Sequence, residues 1–222
     1  VDLFLVADGS SDGTAQAVCD LVPHATILTG DGNLFWCGGV RWAFEEAINR
    51  NYDFYLWLND DTLLDQGALV RMFDTYREVA RDACEATIVV GSTRDPKTGQ
   101  FTYGGWRRYL KPTGVISWKK TPPHMETPLA CDTMNGNIVL IPRSVVERIG
   151  NLDAAFVHTM GDLDYGLRAV KHGCRIYIAP GYCGTCASND QPRPYAGSQT
   201  PLSTRWKQLL GPKGFPIKAW GV

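Results

Sequence analysis

Two adjacent carboxylates, Asp60 and Asp61, come directly after the apolar run at residues 54 to 58. Such a run predicts a buried strand, so the two acids should lie where that strand reaches the surface. Neighbouring anions repel each other unless a cation holds them, and Mg²⁺ or Mn²⁺ binds through a few carboxylate oxygens together with substrate phosphates. The pair therefore suits a metal that stabilises a diphosphate leaving group. Capping of the following helix by one of the acids or by Thr62 explains the pair equally well.

A second pair of acids, Asp162 and Asp164, opens the segment at residues 161 to 173, whose apolar positions repeat at helical spacing. The amino end of a helix favours an ionised carboxylate, so a base would be available here at neutral pH. Asp164 lies four residues before Arg168 and can pair with it, which leaves Asp162 as the candidate general base. Two acids that only cap the helix are the alternative.

The stretch VADGSSDGT at residues 6 to 14 matches part of a calcium-loop pattern, with Asp and Ser at positions one, three and five and Gly13 at six. Counting from Asp8, however, Cys19 occupies the position that requires a bidentate Glu, and the preceding residues suit a strand instead of a helix. The stretch and the residues after it instead predict a strand, a turn and an amphipathic helix, in which Leu21 can face a core. This is the opening of an α/β unit whose ligands gather at the carboxyl ends of the strands.

The composition predicts a single α/β domain, because 222 residues with 44% apolar content can bury one sizeable core. The net charge of -1 gives no electrostatic reason to expect nucleic acid or an anionic membrane as the main partner. The longest apolar runs are too short to span a bilayer, and we expect a cytoplasmic chain. Cys183 and Cys186 form a CGTC pair that suits a redox or metal half-site, but no second pair follows at zinc-ribbon spacing.

Strand-like and helix-like segments alternate through the first 90 residues, which predicts a mostly parallel central sheet flanked by helices. Residues 94 to 130 break this alternation, and the stretch QFTYGGWRRYL within them predicts a hairpin or an inserted flap. A strand at 137 to 142, two helices ended by Gly150 and Gly173, and a last strand follow. Residues 188 to 222 contain Pro and Gly at many positions and are expected to form a loop-rich tail.

Five stretches of the chain resemble motifs of family 2 glycosyltransferases, in the order in which that family has them. VADGSSDGT resembles the family's VDDGSTDGT turn, and LNDDT resembles its DxD-type metal motif. GNLFWCGGVRWAFEEAI resembles the NxGfagGxNxGi segment of the rhamnosyltransferase-like branch. MNGNIVLIPRSVVERIGNLDAAF resembles the stretch that ends in G-x-x-D-x-x-F, and GDLDYGLRAVKHGCRIYIAPG resembles the acidic catalytic motif with its helix. The matches cover residues 3 to 181.

The resemblance implies a GT-A fold, the nucleotide-diphospho-sugar transferase fold, and a cytosolic or membrane-peripheral enzyme that inverts the transferred sugar. It implies that Asp61 holds a divalent metal, Mg²⁺ or Mn²⁺, on the diphosphate and that Asp162 is the general base. Four residues fall in the segments implied to bind the nucleotide sugar: Asp8, Asn33, Asn59 and Asp60. Asn135 and Gly136 fall where the family approaches the acceptor or donor sugar closely.

Several positions depart from the family pattern. Ala7 stands where the family often has the first of two acids, and Asn59 replaces an acid at the first DxD position. Gly161 replaces the acid that often precedes the catalytic Asp. The family's opening strand is absent from this sequence, so we expect upstream sequence to complete the donor pocket. The late stretch GYCGTCASN contains no His that could complete the metal shell.

Further residues each have two interpretations. Gly38 and Gly39 come just before a helix predicted from about Gly39 to Arg50, so they could bring backbone N–H groups close to phosphate, and Arg41 could add charge. Tight helix packing and an ion pair of Arg41 with Glu45 explain these residues equally well. Trp106 in the predicted flap suits stacking on a sugar substrate, or covering the core from outside. His158, just before the acidic motif, suits an acceptor contact or a structural role.

The sequence therefore predicts a GT-A domain over residues 1 to 187, followed by the tail over residues 188 to 222. The predicted function is transfer of a hexosyl or deoxyhexosyl group from a nucleoside-diphosphate sugar to a glycan or lipid-linked acceptor, in cell-surface polysaccharide synthesis. Peripheral membrane contact fits such an acceptor, and no nucleic acid is expected. A nucleotidyltransferase and a non-catalytic module that binds nucleotide sugars or glycans are the alternatives.

Overall fold

The computed structural model describes residues 1–80, 85–188 and 201–211. The chain divides into two compact units. The first comprises Val1–Asn51, Asn151–Gly161 and Asp190–Val222, and the second comprises Tyr52–Gly150 and Asp162–Asn189. The predicted boundary at residue 188 stays a prediction, because most of the tail lies outside the described residues.

The first unit begins with a parallel two-stranded sheet and its connecting helix. Its elements are β1 (Phe4–Asp8), α1 (Thr14–Leu21), β2 (Thr26–Gly30) and α2 (Phe35–Ile48). The turn after β1 passes through Gly9 and Gly13 at φ values of 69° and 83°, a backbone region that favours glycine. Asp12 Oδ1 accepts the Thr14 N–H at 3.0 Å, which starts α1. The strand, turn and helix predicted for this stretch are therefore present.

The second unit is built around a six-stranded sheet. Its strands are β3 (Phe54–Leu58), β4 (Leu63–Leu64), β5 (Thr87–Arg94), β8 (Leu129–Ala130), β10 (Ile138–Pro142) and β11 (Arg175–Thr185). The order is β3-β10-β5-β11-β4, with β8 paired to β11. β5 and β11 run parallel, but β10 is antiparallel to both its neighbours, and β11 is antiparallel to β4 and β8. The prediction of a mostly parallel sheet is therefore wrong for this unit.

The direction of β10 follows from how the chain reaches it. A parallel partner needs a crossover connection, usually a helix. The residues between β5 and β10 are all described and form no helix, and the chain returns through a separate three-stranded sheet. In the resulting register Ile138 pairs with Leu58, and the Asn59 N–H donates to Asn137 O at 3.1 Å. The residues that precede β10 therefore lie beside those that follow β3.

The three-stranded sheet contains the hairpin that the sequence predicts. It has the order β7-β6-β9, with β6 (Gly105–Leu110), β7 (Ile116–Thr121) and β9 (Thr133–Met134). Gly105 pairs with Thr121 at the base of the hairpin, and Leu110 pairs with Ile116 near its tip. A Cβ atom on Gly105 would lie 2.6 Å from the Ile178 side chain, so the base of the hairpin approaches β11 at a distance that only glycine permits.

Helices pack on the sheet of the second unit. They are α3 (Ala68–Ala80), α4 (Arg143–Ile149) and α5, which spans Gly161–Lys171, and the first unit contains the later helix α6 (Leu202–Leu210). Met72 of α3 packs with Val89 and Ile138 of the central strands, and all three are fully buried. Trp57 of β3 packs against Tyr165 of α5, with ring centroids 4.8 Å apart. None of the described helices is long and apolar enough to cross a membrane.

Candidate functional site

The turn that follows β3 exposes two carboxylates. Asp60 and Asp61 are exposed, whereas Thr62 is buried and its N–H donates to Asn59 O at 3.1 Å. The next helix, α3, begins only at Ala68, after the intervening strand β4. Neither acid is therefore the N-cap of that helix, which removes the capping interpretation of this pair.

The Asp61 carboxylate is linked to a small buried polar cluster. Thr62 Oγ1 donates to Asp61 Oδ1 at 3.4 Å, and the Cys186 Sγ–H donates to the same oxygen at 3.5 Å. Asn137 Nδ2 donates to Thr62 Oγ1 and to Cys186 Sγ, both at 3.5 Å. Sequence reasoning missed Asn137 and Cys186 in this role. The CGTC pair and the second Asn of MNGN were the signals that could have found them.

The donor set at Asp61 fits a hard divalent metal. Among the described residues, no group of three or more His, Cys, Asp or Glu side chains is arranged to hold a metal ion by itself. Mg²⁺ and Mn²⁺ do not need such a group, because one or two carboxylates suffice when substrate phosphates and water supply the remaining oxygens. Burial raises the pKa of the Cys186 thiol, and the Asp61 charge adds to the rise. The protonated thiol of Cys186 therefore offers Asp61 a hydrogen bond.

The Asp162 carboxylate lies in the first turn of α5 and is held from three directions. Oδ2 accepts the Gly136 N–H at 3.0 Å, Oδ1 accepts the Leu163 N–H at 2.8 Å, and the Asn135 side chain also hydrogen-bonds the group. The Leu163 contact is local to the helix, but Gly136 belongs to the segment before β10. Helix capping alone therefore does not account for this carboxylate.

Burial raises the pKa of Asp162, although its hydrogen bonds from Gly136, Leu163 and Asn135 oppose the rise. The sequence predicts the opposite direction, because the amino end of a helix favours the ionised form. Desolvation of the carboxyl is the largest influence on its pKa and outweighs this local effect, although the residue as a whole is half-buried. A carboxylate with a raised pKa is a stronger base and is better matched to proton transfer near neutral pH.

Removing the Asp162 carboxyl is expected to change how stability depends on pH. Because the pKa is raised above its ordinary value of 3.8, the folded chain holds this proton more tightly than the unfolded chain. The stability from this group is full below the unfolded pKa and is lost as pH rises through the folded pKa. The Tm of Asp162→Asn relative to wild type should therefore rise as the pH increases above about 4. A Tm difference that is independent of pH in thermal unfolding would contradict the raised pKa.

The candidate acceptor residues Asn135, Gly136 and Trp106 are joined to Asp162 by hydrogen bonds. Trp106 Nε1 donates to Asn135 Oδ1 at 2.9 Å, and the Asn135 side chain contacts the Asp162 carboxylate. The Asn135 N–H donates to Gly104 O at 2.9 Å, at the base of the hairpin. The half-buried Trp106 thus belongs to the surroundings of Asp162.

Asp164 makes the ion pair that its spacing predicts. Its Oδ2 accepts from Arg168 Nε at 2.8 Å, and Arg168 Nη1 also donates to Ile149 O at 2.9 Å. The Asp164 carboxylate is therefore engaged with its own helix. This arrangement leaves Asp162 as the acid of this motif that faces the residues before β10.

In the first unit, Asp8 organises the loop that leads into α2. Its Oδ1 accepts the Gly32 N–H at 2.7 Å, and its Oδ2 accepts the N–H groups of Leu34 and Phe35 at 2.9 and 3.2 Å. A Cβ atom on Gly30, at the end of β2, would collide with Asp8 Oδ1, so the absence of a side chain at Gly30 gives the Asp8 carboxylate its space. Asp8 therefore has a structural role at the start of α2, and its contact with a nucleoside stays a proposal.

Replacing Asp8 with Ala is expected to destabilise the fold strongly. Three backbone N–H groups would lose a charged acceptor, and hydrogen bonds to charged groups contribute about 1.5–3 kcal/mol each before neighbouring groups relax. We expect a loss of roughly 2–4 kcal/mol in the free energy of unfolding, measured by denaturant titration. Asp31→Ala is the matched control, because Asp31 accepts a single exposed N–H, from Asn33 at 3.1 Å. Equal losses in both variants would contradict the structural role of Asp8.

The remaining predicted residues also belong to the first unit. Asn33 is exposed in the loop before α2. Arg41 is half-buried within that helix, and its carbonyl accepts from Asn151 Nδ2 at 2.8 Å. The backbone carbonyl of His158 accepts a hydrogen bond from Cys37 Sγ at 3.2 Å. The imidazole ring of His158 lies against the Phe35 ring, with centroids 5.8 Å apart.

The expectation that Gly38 and Gly39 precede a helix is wrong. α2 begins at Phe35, so both glycines lie inside it, and the Gly38 N–H donates to Leu34 O at 3.1 Å. A Cβ atom on Gly39 would lie 3.8 Å from Val6, so this glycine faces β1 within the first unit. Backbone contact from Gly39 to phosphate therefore loses its basis, because helix-interior N–H groups are already used.

The structure thus separates the predicted residues into two sets. Those in the first unit are Asp8, Asn33, Gly39, Arg41 and His158. Those in the second unit are Asn59, Asp60, Asp61, Trp106, Asn135, Gly136 and Asp162. The hydrogen bonds of residues 135 to 137 bring the second set together.

The chain is similar in sequence to uncharacterized mycobacterial proteins. No protein-family model matches the chain. It is 24% identical over 185 residues to the uncharacterized protein Rv1525 of Mycobacterium tuberculosis and to the uncharacterized protein Mb1552 of Mycobacterium bovis. These alignments cover 78% of this chain and 64% of each relative, so the chain spans less than two thirds of the length of these curated relatives.

A solved structure identifies the fold. The crystal structure of GalNAc-T7 with UDP, GalNAc and Mn²⁺ superposes with a TM-score of 0.57 and 9% sequence identity. The match covers 84% of this chain and 37% of the GalNAc-T7 chain. The fold is therefore GT-A-like, as the sequence predicts. Membership of family 2 and of its rhamnosyltransferase-like branch stays a prediction.

Proposed function

We propose that the chain is an inverting glycosyltransferase that uses a divalent metal and a nucleoside-diphosphate sugar. The observation that carries this proposal is the segment at residues 135 to 137. Gly136 hydrogen-bonds the Asp162 carboxylate, and Asn137 hydrogen-bonds the cluster at Asp61, all within one compact unit. One short segment thereby holds both a candidate base and a candidate metal ligand. The GT-A-like fold supports the assignment, since its solved neighbour contains UDP, GalNAc and Mn²⁺.

In the proposed reaction Asp162 accepts the proton of an acceptor hydroxyl. The acceptor oxygen forms a bond to the anomeric carbon, while the bond from that carbon to the diphosphate oxygen breaks. The electron pair of the broken bond leaves with the nucleoside diphosphate, and attack from the opposite face inverts the anomeric configuration. When bound at Asp61, with Asp60 beside it, a divalent metal would stabilise the charge on the departing diphosphate.

The neighbours of Asp162 hold its carboxylate in one orientation. The Gly136 N–H fixes Oδ2, and the Asn135 side chain is itself fixed by Trp106 Nε1. A base held in this way does not need to reorganise when the acceptor arrives, which lowers the barrier to proton transfer. The Trp106 ring is also half-buried beside this network and offers an apolar face to an acceptor sugar.

The donor contacts, the transferred group and the acceptor are more specific proposals. Asn59 and Asp60 are proposed to bind the nucleotide part of the donor. For the first unit taken by itself, a nucleotide contact of Asp8 and Asn33 and added positive charge from Arg41 are separate proposals. The transferred group is proposed to be a hexosyl or deoxyhexosyl residue. The acceptor is proposed to be a growing cell-surface glycan or its lipid-linked form, reached from the cytoplasmic side.

Product analysis tests the proposal. The protein is incubated with a panel of nucleotide sugars and Mn²⁺, and the nucleotide products are separated by chromatography. Slow release of a nucleoside diphosphate is the expected result, because water replaces the missing acceptor. Release of pyrophosphate would indicate nucleotidyl transfer, and no release with any donor would favour a binding module. Either of these two results would overturn the proposal.

A further inference from the structure

An exposed apolar cluster lies at the tip of the β6–β7 hairpin. We call it the apolar tip, and it consists of Tyr109, Leu110, Val115, Ile116 and Trp118. Leu110 and Ile116 pair directly across the hairpin and are 68% and 56% exposed, and Val115 in the turn is 58% exposed. Single exposed apolar residues need no explanation, but several of them at the end of one hairpin mark an interaction surface.

The same hairpin is strongly basic. Residues 105 to 121 contain five basic residues and no Asp or Glu: Arg107, Arg108, Lys111, Lys119 and Lys120. Arg107 and Lys119 are both exposed and stand directly opposite each other in the ladder. Like charges in that position repel each other, and an anionic partner would relieve this repulsion. The net charge of -1 for the whole chain conceals this local excess.

The two kinds of residue are ordered along the ribbon. Leu110, Val115 and Ile116 occupy the far end, and the aromatic residues Tyr109 and Trp118 come next. The basic residues mostly flank this end on the side of the protein body, and Lys111 lies in the turn. Apolar side chains in the acyl boundary, aromatic rings at the headgroup level and basic side chains near phosphates are the order that a lipid bilayer interface favours.

We propose that this hairpin docks the protein onto the surface of an anionic lipid bilayer, with the apolar tip inserted among the headgroups. The charge selects an anionic partner, and the apolar tip favours a bilayer over nucleic acid, because insertion removes Leu, Val and Ile side chains from water. The base of the hairpin is also attached to the rest of the second unit by strand pairing and a side-chain hydrogen bond. Trp106 of β6 pairs with Thr133 of β9, and its Nε1 donates to Asn135 beside Asp162.

The pairing of β6 with β9 and the hydrogen bond from Trp106 to Asn135 connect the docking surface to the candidate site of the same unit. Docking would bring Asp162 to the membrane at which a lipid-linked acceptor is held, and this consequence alone rests on the proposed function. Membrane binding itself is measured without donor or acceptor. Its failure and the failure of the transferase proposal are therefore distinguishable.

Vesicle co-sedimentation tests the docking. The probes are vesicles of phosphatidylcholine alone and vesicles that contain phosphatidylglycerol as well, at low and high salt. Wild type should bind the anionic vesicles and bind neutral ones at least tenfold more weakly. Arg107→Gln with Lys119→Gln should weaken anionic binding by roughly 30-fold, because each basic residue near the surface contributes a factor of about five. Leu110→Ser with Ile116→Ser should weaken it by tenfold or more and remove the part that survives high salt.

Leu21→Ser is the matched control, because Leu21 is 83% exposed on α1, outside the hairpin, and its loss should leave vesicle binding unchanged. Thermal unfolding checks that the hairpin variants keep the wild-type Tm, as expected for exposed side chains. Binding of wild type to neither vesicle, equal binding to both, or wild-type binding by both hairpin variants would overturn the proposal. A dimer in solution that the tip substitutions dissociate, without vesicle binding, would show that a second copy of the chain covers the tip instead.

Discussion

Replacing Asp162 with Asn is expected to lower the rate of sugar transfer by roughly 10²-fold or more, with little change in donor affinity. The amide keeps the shape of the side chain but cannot accept the proton of the acceptor hydroxyl. Because the donor does not depend on that proton transfer, its binding should survive. Transfer rate and donor affinity are measured for wild type and variant at the same metal concentration.

Asp164→Asn is the control for this experiment. Asp164 is ion-paired with Arg168 at 2.8 Å, and both side chains are largely buried, so its loss should lower stability by about 1.5–3 kcal/mol and spare transfer. Loss of transfer in Asp164→Asn but not in Asp162→Asn would place the base two residues later. If neither variant lost activity, the motif would only cap α5, and the binding-module interpretation would replace the transferase.

Replacing Asp61 with Ala is expected to abolish the metal-dependent stabilisation of the protein by nucleoside diphosphate. A ligand that binds only the folded state at 100 times its Kd stabilises it by about 2.7 kcal/mol. In wild type this increment should appear when Mn²⁺ or Mg²⁺ is added together with the nucleotide, because the carboxylate and the diphosphate share the metal. Thermal unfolding with each component alone and with both together measures it.

Asp74→Ala is the matched control for Asp61→Ala. Asp74 is also an exposed aspartate of the second unit, but it lies on α3 and pairs with Arg77 at 2.9 Å. Its removal should leave the metal-dependent increment at the wild-type size. An unchanged increment in Asp61→Ala would rule out the metal assignment, whatever the control shows.

The local elements of the fold could be predicted from the sequence because their signals are local. The apolar run at residues 54 to 58 is a strand, and the segment ended by Gly150 is a helix, with Gly150 at a φ of 68°. The Gly-, Trp- and basic-rich segment forms a hairpin. Each of these elements is set by periodicity or by a residue that tolerates positive φ.

The direction of β10 could not be predicted in the same way. Its residues are buried on both faces, and a continuous apolar run has the same pattern in a parallel and an antiparallel strand. The antiparallel direction nevertheless determines the site, because it brings Asn137 beside Asn59. The sequence therefore predicted Asn135 and Gly136 as site residues, but it did not predict that residues 135 to 137 connect the surroundings of Asp61 and Asp162.

Other errors have the same origin in contacts between distant residues. The start of α2 was placed at its glycines, whereas the Asp8 carboxylate, 27 residues before Phe35 in the chain, caps the helix at Phe35. The pKa of Asp162 was assigned from the helix end, whereas burial determines its direction. In α1, helical spacing suggested that Leu21 faces a core, but the side chain is 83% exposed. Spacing shows which residues share a face and does not show what covers that face.

The anomeric configuration of the first sugar released tests the central claim most directly. The donor that yields nucleoside diphosphate is incubated with metal and with enough protein to hydrolyse it within minutes, and proton NMR follows the free sugar before its anomers equilibrate. Single displacement with Asp162 as the base predicts a first-formed sugar of the opposite configuration to the donor, released by wild type and Asp164→Asn and not by Asp162→Asn. A first-formed sugar with the donor's own configuration would contradict the account, because it requires two displacements and a nucleophile in place of the base.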